Sequence, residues 1–402
     1  MKSRFASLLS FFGVMGTIFY LTFGSLGPWL SQILSDGIHW WTGKFSLLLE
    51  QLAVEPVFRS LLVDGICAGV GSVLSFLPVI AVLFFCLSVM ESCGYLEYIS
   101  FKVDGLFQKS GLSGFSLIPL LTGFGCSVPA VMAAGKLPLP YDRWLTISLI
   151  PFMSCSAKLP VYTMVAQTFY GEKGIFIIGL LYLTGILTSI PMALLFRRLY
   201  RLRHFSPDRP QPSKIPSFYP SHSCSLRKPD MGKALEAVRD NVRDFSKKAF
   251  TVIFLGSIVV WLLEHFGLDL TLVDCPEDSI LAQLGKICSV FFTPLGISDW
   301  RIVSALIAGL SAKEAIVSTL AVMAGNPVGS APFQLFLNQI FTPFTAWIFM
   351  VFCLFYVPCI ATLTAVRKET GSWRYSLMML LFQLIFAWIL SFLLYHFGLL
   401  LK

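Results

Sequence analysis

The run Leu121-Thr122-Gly123-Phe124-Gly125-Cys126-Ser127-Val128-Pro129-Ala130 is apolar enough to lie in a bilayer, yet two glycines and a proline forbid a continuous helix through it. In lipid, every backbone N–H and C=O must find its partner inside the protein. A helix broken at membrane depth is therefore buried in protein or lines a wet cavity. The run predicts a broken segment that lines something, with Cys126 at the break, and a remainder of the chain that holds it in place.

The other residues make the membrane setting explicit. The 402-residue chain is 56% hydrophobic and 13% charged, against about 45–50% and about 25% in soluble domains. Its net charge of +8 comes from basic residues that flank apolar stretches, a pattern that sets membrane orientation rather than nucleic-acid binding. The ten cysteines show no disulfide spacing and no C-x-x-C pair, so most read as small buried hydrophobes. The apolar run that starts at Phe5 behind Lys2 and Arg4 lacks a clear cleavage site and reads as a retained anchor. No phosphate-binding loop occurs, since Gly125 and Lys136 are wrongly spaced for one. Nothing resembles a zinc-protease helix or a hydrolase triad. The expectation is a transporter, not an enzyme, with no permanently bound cofactor.

Apolar stretches near spanning length fall at 5–24, 62–95, 115–134, 144–169, 174–196, 249–266, 301–323, 343–366 and 375–400. Trp29, Trp40 and Trp41 suit a headgroup-level amphipathic segment within 25–60. Gly65, Gly69, Gly71 and Pro78 are expected to split 62–95 into a half-helix and a full crossing. A basic linker rich in proline (Pro207, Pro210, Pro212, Pro216 and Pro220) reads as cytoplasmic. Residues 232–248 then read as an amphipathic surface helix, with Leu235, Val238, Val242 and Phe245 on one face. The acidic 267–300 loop is expected outside. Parity then asks one run in each half not to cross, so 115–134 is predicted to dip in from the cytoplasm and 301–323 from the outside.

The halves also look alike. Gly111-Leu-Ser-Gly matches Gly296-Ile-Ser-Asp, and Gly123-Phe-Gly matches Gly309-Leu-Ser. Glu91-Ser-Cys-Gly94 matches Glu264-His-Phe-Gly267, and Pro151-Phe-Met-Ser-Cys155 loosely echoes Tyr356-Val-Pro-Cys359. The fold class predicted is an all-α polytopic membrane protein with about 7–9 membrane helices or re-entrant segments in two inverted repeats.

Cys126, Cys155 and Cys359 each sit beside a helix-breaking signal. Soft sulfur suits transition metals, and Met153 lies two residues from Cys155. Gly123 and Gly125, with Pro129, Pro151, Pro160 and Pro358, would break helices and free carbonyls nearby. Cys67, Cys86, Cys93, Cys288 and Cys353 read as structural. Charges inside a membrane default to functional hypotheses. Lys158 follows Cys155 by three residues, and Lys313 and Glu314 sit inside the second broken run, where they would gate the path or pair with neighbours. Glu91 closes an apolar run. For Glu91 and Lys158 the competing reading is snorkelling to an interface. His265, after Glu264, is a candidate for cation capture, against an incidental interfacial histidine.

At GFGCSVPAVMAA the chain resembles the membrane region of FeoB-type ferrous iron transporters. Supporting stretches include SLLVDGICAGVGSVLSFLPVI, YDRWLTISLIPFMSCSAKLPVY, DWRIVSALIAGLSAKEAIVSTLAV and YVPCIATLTAVRKETGSW. The resemblance implies two Gate-type repeats around a central segment. The expected division is 1–60 (span and interfacial segment), 61–140 (first Gate repeat), 141–200 (central membrane segment), 201–232 (linker), 233–325 (second Gate repeat) and 326–402 (C-terminal helices). It also implies Fe²⁺ uptake across the bacterial cytoplasmic (inner) membrane, along a path lined by Cys126, Cys155 and Cys359. The family usually begins with a G-protein domain, whereas Met1 here falls almost at the first span. A G-protein subunit acting in trans, a fragment, and transport without GTP all stay open, as do a small accessory protein and a homo-oligomer. Gly135-Lys136 also departs from the family's small polar residue and arginine.

The function expected is inward Fe²⁺ conduction through a midplane path, in which sulfurs and freed carbonyls replace water weakly enough to release the ion. Mn²⁺ or another divalent metal is the nearest alternative. An organic-solute permease of nucleoside-carrier type, and a non-transporting membrane scaffold docked through its basic linker, are the others.

Overall fold

The computed structural model describes residues 2–52, 55, 58–59, 61–203, 228, 230–269, 271–273 and 275–400. Most of the predicted basic linker, with Cys224, lies outside the described residues. Everything described is helical or connects helices, apart from a single bridge between Phe266 and Leu272. In chain order the α-helices are α1 (Lys2–Phe19), α2 (Leu26–Gln51), α3 (Ala68–Ser92), α4 (Tyr95–Ser110), α5 (Leu117–Gly125), α6 (Ser127–Gly135), α7 (Pro140–Leu149), α8 (Leu159–Tyr170) and α9 (Gly174–Arg203). There follow α10 (Met231–His265), α11 (Ile280–Phe292), α12 (Trp300–Ala308), α13 (Ala315–Ala324), α14 (Ala331–Ile340), α15 (Pro343–Phe355), α16 (Ile360–Thr370) and α17 (Trp373–Leu400).

This is an all-α polytopic membrane protein. Among the described residues, three stretches are long and apolar enough to cross a membrane, or up to five when each of two bent pairs counts as one span, and shorter apolar helices accompany them. The C-terminal helix α17 shows why the solvent must be lipid. Its buried face carries Ser376, Gln383, Ala387 and Ser391, while Leu377, Leu381, Ile385, Ile389, Leu393 and Phe397 point outward. Small and polar residues let helices approach closely inside a bundle, and leucines face tails as apolar as themselves. Trp29, Trp40 and Trp41 on α2 are likewise exposed, as an interfacial segment requires.

The chain divides into two compact units. The first comprises residues 1–36, 74–153 and 186–248. Its core joins α1, α3 and α4 through Phe11, Met15, Ile18, Leu83, Met90, Leu96, Ile99 and Val103. The second comprises 37–73, 154–185 and 249–402. Its centre is α15, in which every residue from Ile348 to Phe355 is buried. A helix apolar on all sides is what the middle of a bundle demands, and α8 and α17 pack on it.

Breaks recur through both halves of the sequence. Helix α5 stops at Gly125, Cys126 is extended (φ −149°, ψ 132°), and α6 starts at once. Between α7 and α8 the chain passes through short 3-10 turns around an extended Met153–Cys155. Residues 309–314 separate α12 from α13, and 356–359 separate α15 from α16. The matched glycines open this series alike: Gly111 and Gly296 have φ of +85° and +74°, a region that side chains with a Cβ resist.

Three expectations need correcting. Pro78 does not split 62–95, because α3 runs through it. The turn falls instead after Ser92, at Gly94 (φ +70°), where the following helix swings by 77°. The amphipathic segment is not a separate surface helix, since α10 runs uninterrupted from Met231 to His265. On it Val238 and Val242 are half-buried and Glu236, Arg239, Asp240 and Arg243 exposed, in line with the predicted faces, whereas Leu235 is 63% exposed. Pro129 is not a breaker either: it occupies the first turn of α6, where a missing N–H leaves no bond unmade.

Candidate functional site

In the first unit, Gly123 lies against the break that follows α7. A Cβ there would meet the Met153 side chain at 3.3 Å, so the glycine gives both flexibility and close approach. Met153 is 4% exposed. Cys126 and Cys155 are half-buried, and Glu91 is exposed near the end of α3, where an interfacial charge belongs.

The second unit brings three broken segments together, and their backbones complete one another. Pro358 has no N–H, so the carbonyl of Leu354, four residues earlier, has no helical donor. Lys158 supplies one: its Nζ donates to Leu354 O at 2.6 Å. The carbonyl of Leu306 is freed where α12 ends, because Leu310 N turns to Ile307 O. The Tyr356 hydroxyl donates to it at 2.7 Å. The N–H of Ile360, at the start of α16, donates to Leu310 O at 3.0 Å. Freed groups at membrane depth are thus satisfied by other broken helices.

Sulfur and charge collect at this junction. Cys155, Cys353 and Cys359 all lie close enough to Lys158 to act on it electrostatically. The Cys359 thiol pairs with the Thr362 hydroxyl at 3.2 Å. Lys158 and Lys313 are 5% and 4% exposed, so neither snorkels. Lys313 Nζ has no hydrogen-bond partner among the described residues and stands 4.0 Å from the centre of the Tyr356 ring. Glu314 does not neutralise it by an ion pair among those residues.

The structure therefore places Cys155, Cys359, Lys158, Lys313 and Glu314 in one unit, and Cys126, Met153 and Glu91 in the other. Pro160 opens α8 and Pro151 opens the 3-10 turn before Met153. Among the described residues no three His, Cys, Asp or Glu side chains are grouped to hold a metal ion. The sequence marked Cys353 as structural and Tyr356 only through the match between the halves, and it did not mark Thr362. Tyr356 and Thr362 flank the Pro358 break, a signal that was available; Cys353 sits in an unbroken apolar helix and carried none.

In the second unit, then, broken helices of a membrane bundle meet around buried sulfur and cationic groups. The chain belongs to the Gate family, whose model, described as nucleoside recognition, matches residues 73–169 and 246–373. Each matched segment contains two of the breaks. The chain is also 35% identical to the Fe(2+) transporter FeoB of Staphylococcus aureus strain MSSA476 over 396 residues, covering 98% of this chain and 58% of that protein. It is 35% identical to the Fe(2+) transporter FeoB of Methanocaldococcus jannaschii over 370 residues (90% and 53%). It is 30% identical to a Porphyromonas gingivalis protein named as a fusion of Fe(2+) transport protein A with Fe(2+) transporter FeoB, over 422 residues (93% and 48%). The chain thus corresponds along most of its length to the membrane region of FeoB-type proteins, and spans about half the length of these relatives. No solved structure matches it.

Proposed function

We propose that the chain conducts Fe²⁺ inward across the bacterial cytoplasmic membrane, along a path that uses Cys126, Cys155 and Cys359 with Met153. The observation that carries this reading is the junction of three broken segments in the second unit, where Lys158 meets Leu354 O, Tyr356 meets Leu306 O and Ile360 N meets Leu310 O, with the Cys359 thiol at the start of α16. Dispersed thiols and a thioether suit a passing soft-to-borderline cation, and loose coordination favours release over storage. The names of the relatives support iron as the cargo. The two halves would act as inverted repeats, with the Cys126 break as one half-gate and the Gly309–Glu314 break as its counterpart.

Lys158 and Lys313 would act on the ion's charge. At roughly 6 Å and an effective dielectric of about 20, an ammonium repels a divalent ion by roughly 5 kcal/mol. Lys313, with no hydrogen bond to hold it, is the gating group, and Lys158, tied to Leu354, is the fixed one. A small accessory protein would assist, in keeping with the fusion found in Porphyromonas gingivalis.

The test is uptake by proteoliposomes of Fe²⁺ and Mn²⁺, for wild type and for Cys126→Ser, Cys155→Ser and Cys359→Ser. Fe²⁺ influx reduced in the variants is the expected result; unchanged influx in all three sinks the cysteine path. The family description favours a second reading, an organic-solute carrier of nucleoside type. That reading gains if labelled nucleoside enters and Fe²⁺ does not.

A further inference from the structure

A cleft of about 170 Å³ opens at the C-terminal end of α10, lined by Glu264, His265, Ser279, Thr319 and Met323 among others. Its polar groups are held in one arrangement. Glu264 Oε1 accepts from the Thr319 hydroxyl at 2.8 Å. The His265 ring stacks on Trp261 with centroids 4.7 Å apart, and its Nδ1 lies 3.0 Å from the Trp261 carbonyl. A carbonyl can only accept, so Nδ1 carries the proton, and in the neutral imidazole Nε2 then keeps its lone pair. Among the described residues, neither Nε2 nor the second carboxylate oxygen has a hydrogen-bond partner. Ser279 is otherwise engaged, donating to Pro276 O and accepting from Ala282 N.

This is how metal ligands are prepared. A ligating imidazole donates its other N–H to a carbonyl, and a ligating carboxylate is itself hydrogen-bonded, so that both are aimed before the ion arrives. A carboxylate, a neutral imidazole and a thioether together suit a divalent first-row transition metal better than Ca²⁺ or Mg²⁺.

We propose that this cleft is a capture site for a divalent first-row cation, ligated by the Glu264 carboxylate and His265 Nε2 with the Met323 thioether beside them and water completing the shell. Its place in the fold gives it a use. Thr319 and Met323 belong to α13, which begins two residues after Lys313. An ion held here waits within reach of the junction of broken helices. That role as an entry site rests on the reading of the chain as a metal transporter; the binding itself does not.

The test is titration of the detergent-solubilised full chain with Co²⁺, followed by its visible d–d bands, for wild type, Glu264→Gln, His265→Phe (which keeps the ring on Trp261) and Cys359→Ser. The expected result is a site weakened about 10-fold or more in the first two variants and retained in Cys359→Ser. Wild-type protein offers an independent readout: diethylpyrocarbonate modification mapped by mass spectrometry, with the exposed His39 as reference. Co²⁺ should protect His265 and leave His39 reactive. Titration curves identical in all four proteins, or equal modification of His265 with and without Co²⁺, overturns the proposal. Co²⁺ bound at the cleft by a chain that moves no Fe²⁺ would refute the transport reading and leave this site standing.

Discussion

The Nζ of Lys313 stands over the ring of Tyr356, 4.0 Å from its centroid, so the break after α12 meets the break after α15 through a cation and an aromatic face. A desolvated contact of this kind is worth about 2 kcal/mol, well below what burying an ammonium forfeits in hydration. The ring therefore offsets only part of the desolvation of a charged Lys313 at the junction.

Lys313→Met keeps the length of the side chain and removes the charge. Initial Fe²⁺ influx into proteoliposomes should rise several-fold, because the repulsion at the gate is gone. An influx equal to or below wild type would show that Lys313 is not the gating charge. Tyr356→Phe separates the two functions of the tyrosine: the ring under Lys313 stays, while Leu306 O loses its donor. That variant should keep its influx and lose about 1 kcal/mol of stability in thermal unfolding.

Lys158 has a structural role as well as its charge. Because Pro358 cannot donate to Leu354 O, the lysine is that carbonyl's partner. Lys158→Met leaves a buried carbonyl unsatisfied, which should destabilise the protein by about 1–3 kcal/mol. Lys158→Met combined with Pro358→Ala restores a backbone N–H that can close α15 over Leu354. Thermal unfolding of both in detergent should show the double variant more stable than the single one.

Cys353 shows where the sequence stops being informative. The breaks at Cys126 and between Gly309 and Glu314 were readable because glycine weakens a helix locally and because a proline such as Pro129 favours the first turn of a new one. The cysteines at 155 and 359 could be picked out by their neighbouring prolines. Cys353 has no such marker, and its place beside Lys158 comes from α8 packing on α15, a contact between segments far apart in the chain. Pro78 was misread for the converse reason: a long apolar helix packed on neighbours absorbs one lost hydrogen bond. The continuity of α10 escaped because the change from charged to apolar residues at its middle alters what the helix faces, not whether it is helical. Cys353→Ser should reduce Fe²⁺ influx as Cys359→Ser does, and Cys288→Ser, on α11, should not.

The matched glycines allow a comparison of the two halves. At Gly111 (φ +85°) a Cβ would press on Arg197 and Tyr141; at Gly296 (φ +74°) it would run into the Tyr395 ring. Gly111→Ala and Gly296→Ala should each destabilise by about 1–3 kcal/mol. Gly105 lies inside α4 with open space around its Cβ position. Gly105→Ala should instead stabilise by about 0.5–1 kcal/mol, through helix propensity. Melting temperatures of the three in one detergent give the ordering.

Asp299 does two things at the start of α12. Its Oδ1 accepts from Arg301 N at 2.9 Å, capping the helix, and its carboxylate takes the Arg301 guanidinium at 2.6 Å. Both side chains are partly exposed, at 28% for Arg301 and 20% for Asp299, so solvent screening keeps the ion pair small and the cap should dominate. Asp299→Ala removes both and should lower stability by about 1–2 kcal/mol. Asp299→Asn keeps a capping oxygen and loses only the charge, so its loss should be less than half as large. Hydrogen exchange should quicken at the first turn of α12 in Asp299→Ala and stay unchanged at Leu310, whose N–H is held at the far end of the helix by Ile307 O. Equal losses in the two variants would make the ion pair, not the cap, the dominant contribution.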